Sequence, residues 1–102
     1  MMGEILLKVH KSYRFVVAVC DKELLGKKFV DGKRQLDLTG EFFKGEEFGL
    51  DEASEKICKL VEEDATFNVI GNKSVKIMKD LEIIRDEGIL KVSGVPFALV
   101  LL

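Results

Sequence analysis

Runs of apolar residues with a period of two alternate along the chain with apolar residues at helical spacing. Residues 5–9 and 13–20 are rich in β-forming residues and are joined by a short polar segment, which predicts an antiparallel hairpin. The second run is apolar on both faces, as expected for a central strand covered on each side. Asp21 and Gly26 then bracket a short helical turn, with Asp21 as its predicted N-cap.

A second hairpin is predicted in the segment that follows. Asp31 and Gly32 provide the two positive-φ positions of a tight turn, and Leu36 and Leu38 alternate with polar residues on the return strand. Residues 39–49 contain three glycines and are predicted to form a loop.

The second half of the chain predicts two helices and three strands. Residues 51–63 have an apolar stripe and Glu–Lys pairs at i, i+4, typical of an amphipathic helix. Residues 67–70 predict a short strand, and a helix of about three turns follows Gly71. Two strands close the chain, with Pro96 at a strand start, an edge or a bulge. The sum is an α+β fold with a mostly antiparallel sheet built from hairpins and two helices.

Composition narrows the class of protein. The length of 102 residues predicts one domain, residues 1–102, and the contents of 47% hydrophobic and 33% charged residues exclude a disordered chain. The longest apolar runs are too short for a signal peptide or a membrane span. Cys20 and Cys58 are widely separated, which leaves no zinc spacing and no disulfide framework. We therefore expect a cytoplasmic protein with no metal, no cofactor and no membrane partner.

Charge is unevenly distributed along the chain. The balance is +3 over residues 1–39, −6 over residues 40–64 and +1 over residues 65–102. Cations on a two-stranded ribbon can contact phosphates, and Tyr13 or Phe29 could stack on a base if exposed. The candidate nucleic-acid-binding residues around the second hairpin are Lys22, Lys27, Lys28, Lys33 and Arg34. The alternative is a solvated edge on which lysines prevent strand-to-strand aggregation.

Three phenylalanines lie in the predicted glycine-rich loop. They are Phe42, Phe43 and Phe48. Aromatic rings in such a loop either attach it to the core or form an exposed patch. The patch interpretation predicts a homodimer or a protein-binding module.

The sequence "GNKS" follows a predicted strand and begins a predicted helix. The first N–H groups of a helix are unpaired, so Gly71, Asn72, Lys73 and Ser74 form a candidate anion site. A phosphate-binding loop usually has more glycines or a G-K-[ST] ending, and this segment has neither. The competing interpretation is a structural turn in which Gly71 makes the bend and Asn72 caps the helix.

An enzyme would need a nucleophile and a base. Cys20 and His10 are the available pair, but the charge of neighbouring Asp21 disfavours a thiolate. The alternative is a buried thiol that packs like a small apolar side chain. The sequence thus favours a non-enzymatic binding module that associates with RNA or a ribonucleoprotein near the translation apparatus. Protein binding or dimerisation through the phenylalanines, and an enzyme using Cys20 and His10, are the alternatives.

Several segments, taken in order, carry a family resemblance. The segments "VCDKELLGKKFVDGKRQLDL", "FFKGEE", "NVIGNKSV" and "VSGVPF" resemble a family of small archaeal proteins of unknown function, number four hundred and twenty-four in the domain-of-unknown-function series. The resemblance covers nearly the whole chain and implies a free-standing archaeal, cytosolic domain with no assigned catalytic residues. The family pattern usually has histidine after "GVP", where this chain has Phe97. A reaction that depended on that histidine would be absent here.

Overall fold

The computed structural model describes residues 3–101 and contains one six-stranded sheet, one two-stranded sheet and two α-helices. In chain order the elements are β1 (Ile5–His10), β2 (Val16–Asp21), β3 (Lys28–Asp31), β4 (Arg34–Asp37), β5 (Glu46–Phe48), α1 (Leu50–Glu62), β6 (Thr66–Ile70), α2 (Asn72–Asp80), β7 (Leu90–Val92) and β8 (Val95–Val100). Short 3₁₀ turns lie at Lys22–Leu24 and Asp86–Gly88. The predicted α+β fold with a mostly antiparallel sheet and two helices is confirmed.

The six-stranded sheet has the order β5-β1-β2-β6-β8-β7. Strands β5, β1 and β2 come from the first half of the chain, and β6, β8 and β7 come from the second half. The two halves meet at the parallel pair β2–β6, where Val16 lies beside Thr66, while the other neighbouring pairs are antiparallel. The sequence pattern did not predict this parallel pair.

Both faces of the six-stranded sheet are covered near β2. Val17 and Val19 pack with the two helices on one face, and Ala18 and Cys20 pack with the β3–β4 hairpin and the loop after it on the other. All four side chains have 0% exposure. This confirms the prediction of a central strand covered on each side.

The turn of the β3–β4 hairpin lies one residue later than predicted. Asp31 pairs with Arg34, so the two turn residues are Gly32 and Lys33. Gly32 has a φ of +61°, and Lys33 is not among the residues with positive φ. This matches a type II′ turn, which needs glycine only at its first position. The shift also places the opposite charges of Asp31 and Arg34 across from each other.

The end of the predicted loop forms the edge strand β5 beside β1. The backbones approach closely at Gly45, where a Cβ atom would lie 2.1 Å from the carbonyl oxygen of Leu7. A side chain at this position would therefore force the loop away from β1. Within residues 3–101, neither helix is long and apolar enough to cross a bilayer.

We expect Gly45→Ala to lower the free energy of unfolding by about 1–3 kcal/mol, because the added methyl group meets backbone atoms of β1 that cannot rotate away. Gly40→Ala is the matched control in the same loop, since no atom lies within 4 Å of a Cβ built there. Urea denaturation of both variants measures the difference. Equal stability of the two variants would contradict the close approach of β5 to β1.

Candidate functional site

The Asp21 carboxylate occupies the start of α2, which the sequence offered as a candidate anion site or a structural turn. Its Oδ2 accepts a hydrogen bond from the Lys73 N–H at 3.0 Å, and its Oδ1 accepts from both the N–H and the hydroxyl of Ser74 at 2.8 Å. The carboxylate belongs to a residue with only 2% exposure. Asp21 therefore caps α2 rather than the 3₁₀ turn that follows it, and the cap does not come from Asn72.

Gly71 makes the room that this carboxylate needs. Its φ is +114°, and a Cβ atom at this position would lie 2.4 Å from Cγ of Asp21. The Gly71 N–H donates to the carbonyl of Pro96 at 2.9 Å, which ties the turn to β8. The glycine thus makes the bend between β6 and α2, as the turn interpretation predicted.

Lys73 faces carboxylates of the same chain. Its Nζ lies 3.0 Å from Glu4 Oε1 and 3.3 Å from Glu23 Oε2. The hydrogen bond to Glu4 and, to a smaller extent, the hydrogen bond to Glu23 raise the pKa of Lys73. Two carboxylates therefore pair with the ammonium group, while the Asp21 carboxylate accepts from the backbone N–H groups of Lys73 and Ser74. Negative charge from the chain itself thus occupies this helix start, which disfavours phosphate. An external anion at residues 71–74 would have to displace the Asp21 carboxylate.

The five predicted cationic residues do not all lie together. Lys22 follows β2 in the 3₁₀ turn, and its Nζ lies 2.7 Å from Glu47 Oε1 on β5. An acid from the negatively charged middle segment therefore neutralises one of the five.

The other four cations lie on the β3–β4 hairpin or directly before it, and all four are exposed. They are Lys27, Lys28, Lys33 and Arg34. The strands also carry two carboxylates, with Asp37 opposite Lys28 and Asp31 opposite Arg34. Hydrogen bonds from the hydroxyl and N–H of Thr39, with a smaller contribution from Lys28, lower the pKa of Asp37. The hairpin keeps an excess of positive charge.

The two aromatic residues considered for base stacking lie in different environments. Phe29 faces inward and packs against the core between the six-stranded sheet and the hairpin. Tyr13 lies in the β1–β2 loop with 99% exposure, beside a groove that is also lined by Glu63 and Asp64.

The three phenylalanines of the loop do not form one exposed patch. Phe43 is buried between the sheet and the hairpin, and Phe48 packs against the core on the helix face. Phe42 is 42% exposed and makes an edge-to-face contact with Phe43 at a centroid distance of 5.1 Å. Two rings therefore attach the loop to the core, and one is presented to solvent.

Three successive carbonyl oxygens of this loop accept contacts from side chains of β1 and β2. The pairs are Lys8 Nζ with Glu41 at 3.0 Å, His10 Nε2 with Phe42 at 2.9 Å, and Cys20 Sγ with Phe43 at 4.0 Å. The His10 and Phe42 rings also stack, with centroids 4.4 Å apart and planes inclined by 10°. The loop is thus held over β1 by backbone contacts as well as by its rings.

Cys20 and His10 lie toward opposite ends of the β1–β2 hairpin. Cys20 is beside Leu6 and His10 is beside Val16, so about 13 Å of strand separates them. Burial, and then the charge of Asp21, raise the pKa of Cys20 to about 12. The contact that an enzyme using this pair requires is absent. Among the described residues, no group of three His, Cys, Asp or Glu side chains could hold a metal ion.

Phe97, where the family pattern usually has histidine, pairs with Ile70 and packs against the core under the hairpin. Its ring fills space between the sheet and the hairpin. This position therefore contributes to packing in this chain.

One exposed surface was missed by the sequence pattern. The hairpin covers only half of its face of the sheet, and the other half, termed here the open half of the sheet, is only partly buried. It consists of Lys8, His10, Val16, Thr66, Asn68 and Leu99. The polar residues at alternate positions of β1 and β6 were its sequence signal, but the β2–β6 register was needed to bring them together.

Comparisons with known proteins found a matching family and a similar solved structure. The family model described as "Protein of unknown function (DUF424)" matches residues 9–102. Among solved structures, the chain is similar to an uncharacterized conserved protein from Methanopyrus kandleri, with 28% sequence identity and a TM-score of 0.83. The match covers 95% of this chain and 91% of the other. No curated protein matches this chain.

We expect Asp21→Ala to lower the free energy of unfolding by about 2–3 kcal/mol, because two N–H groups at the start of α2 lose their acceptor in a buried position. Asp51→Ala is the control. This exposed acid interacts only with the positive end of the α1 dipole, so its replacement should lower the free energy of unfolding by about 0.3–1 kcal/mol. Chemical denaturation measures both. Equal losses would show that Asp21 is not a structural cap.

We expect a thiol reagent to modify Cys58 quickly and Cys20 only when the protein unfolds. Cys58 is exposed, whereas Cys20 is buried and its pKa of about 12 keeps it protonated. At pH 8 about one Cys20 in ten thousand would be a thiolate, and raising the pH to 9 should still leave it unmodified in the folded protein. Mass spectrometry of alkylated peptides identifies the site. Rapid labelling of Cys20 at pH 7 would restore the enzyme hypothesis.

Proposed function

We propose a function for this chain, which belongs to the DUF424 family of proteins of unknown function: it is a non-enzymatic module that binds RNA through the β3–β4 hairpin. The observation that carries the proposal is the exposure of four cationic side chains on this one ribbon. They are Lys27, Lys28, Lys33 and Arg34. The proposed partner is an RNA of the translation apparatus, in the cytoplasm.

The charges on the hairpin support contact with phosphates. Four cations lie close to two carboxylates, so the hairpin has a positive excess although the whole chain has a formal charge of −2. Lys28 and Arg34 lie across from Asp37 and Asp31 in the strand register, and all four side chains are exposed. Contact with a phosphate backbone would therefore cost little, because exposed opposite charges stabilise a fold only weakly. Four phosphate contacts to a single strand would give a salt dependence of about −3 in log K against log salt concentration.

A binding role fits the remaining chemistry better than an enzymatic one. Cys20 is a protonated, buried thiol, and His10 is engaged with the backbone and ring of Phe42. The two residues are far apart along the β1–β2 ladder. Cys20 and His10 therefore do not form a nucleophile–base pair, which supports a binding function.

Binding to a protein or to a second copy is the second candidate. The observation that favours it is the exposure of Phe42 and Leu99, 42% and 59%, on the same face of the sheet. Exposed apolar side chains on one face can mark a partner surface. Sedimentation of the purified chain over a range of concentrations measures self-association directly.

We expect replacement of Lys27, Lys28, Lys33 and Arg34 by Gln to abolish recovery of ribosomal or transfer RNA from lysate of the source cell at low salt. The reason is loss of the phosphate contacts, and high salt should release RNA from the unchanged chain as well. Sequencing of RNA bound to the immobilised protein is the measurement.

The matched control replaces three lysines and one arginine that are exposed on the helices or after them. They are Lys56, Lys59, Lys76 and Arg85. Both variants have the same formal charge, so a difference between them isolates the position of the charges. Failure to enrich RNA at low salt, or equal recovery with both variants, would reject the hairpin as the RNA-binding element.

A further inference from the structure

We propose that the open half of the sheet is a platform on which bases stack, so that the preferred partner is single-stranded RNA rather than a duplex. This inference rests on the proposed RNA-binding function and adds the class of RNA. The hairpin would supply the phosphate contacts, and the platform beside it on the same face of the sheet would supply contacts to bases.

The strand registers place the platform residues in two rows across the sheet. One row runs from Lys8 through Ala18 and Asn68 to Leu99, and a second row joins His10, Val16 and Thr66. Side chains in register lie on the same face because both strands alternate with a period of two. Ala18 is buried, and the other six side chains are partly or fully exposed.

Phe42 adds an aromatic ring to the His10 end of the platform. The ring is stacked on the imidazole at 4.4 Å and is 42% exposed. Its orientation is fixed, since the Phe42 carbonyl accepts a hydrogen bond from His10 and the ring also contacts Phe43. A base that stacks on this ring loses little to ordering of the protein, which favours binding.

Charge favours a polyanion as the occupant of this platform. In a chain with 18 acidic residues, the positions of β1, β2, β6 and β8 on this face contain no carboxylate, and Lys8 contributes a cation. The nearby acids Glu41 and Glu47 have cationic partners. Glu41 has its carboxylate 3.9 Å from the ammonium group of Lys44. Glu47, which lies beside Leu6 on the edge strand β5, is 2.7 Å from the ammonium group of Lys22. The amide of Asn68 and the hydroxyl of Thr66 can hydrogen-bond to base edges. An apolar protein surface would leave these two polar groups unpaired.

The stacking geometry selects for a single strand. The faces of bases in a duplex are covered by neighbouring base pairs, whereas unpaired bases can spread on a sheet and stack on an aromatic ring. The occupant we assign is therefore an unpaired RNA segment whose backbone reaches the cations of the β3–β4 hairpin.

Fluorescence anisotropy with a labelled single-stranded RNA and with the corresponding duplex tests the inference. We expect the single strand to bind more tightly, Phe42→Leu to weaken its binding about tenfold, and Phe42→Tyr to preserve it. Leucine keeps an apolar side chain at this position but removes the aromatic face. Tyr13→Leu is the control, because Tyr13 is a more exposed aromatic residue outside the platform.

Each alternative has a distinct outcome. If the unchanged chain binds neither RNA, the proposed function fails and the platform with it. If RNA binding depends on the hairpin cations but not on Phe42, or if the duplex binds as well as the single strand, the hairpin proposal stands and the platform is wrong. If Leu99→Asp converts a dimer to a monomer in sedimentation, the open half is an interface between copies, which also overturns the platform.

Discussion

The carboxylate of Asp21 at the first turn of α2 is the contact on which the junction between the two halves of the sheet depends. Cys20 and Ile70 are the last pair of the parallel β2–β6 ladder. Asp21 follows Cys20 at the end of β2, and Gly71 follows Ile70 directly after β6. Asp21 then accepts the unpaired N–H groups of the helix that follows β6. Because buried N–H groups must be paired, the ends of both strands and the start of α2 are fixed together.

Local signals in the sequence predicted the hairpins and helices well, because turn residues and helical spacing act within a few residues. The parallel pair, the cap by Asp21 and strand β5 were missed for one physical reason. Each depends on a partner far away in the chain, such as Ser74 for Asp21, 53 residues later. The position of the second turn was wrong by one residue, because Asp-Gly alone does not distinguish the type I′ turn from type II′.

The candidate surfaces could be predicted only in part for the same reason. Exposure of four hairpin cations follows from local sequence, but the pairing of Lys22 with Glu47 requires β5 to lie beside β1. The separation of Phe48 from Phe43 likewise follows from the strand β5, which turns Phe48 toward the helices. The open half of the sheet brings together residues from four strands, so only the registers reveal it.

The assembly of each half of the sheet from one half of the chain has a consequence for folding kinetics. Contacts within β1–β2 and β7–β8 close short loops, whereas the parallel pair joins Val16 to Thr66 and must close a long one. Loop closure over many residues slows folding, since its entropy is lost before the contact is gained. The central ladder should therefore form late, and the transition state for folding should consist of two partly ordered halves whose docking sets the rate.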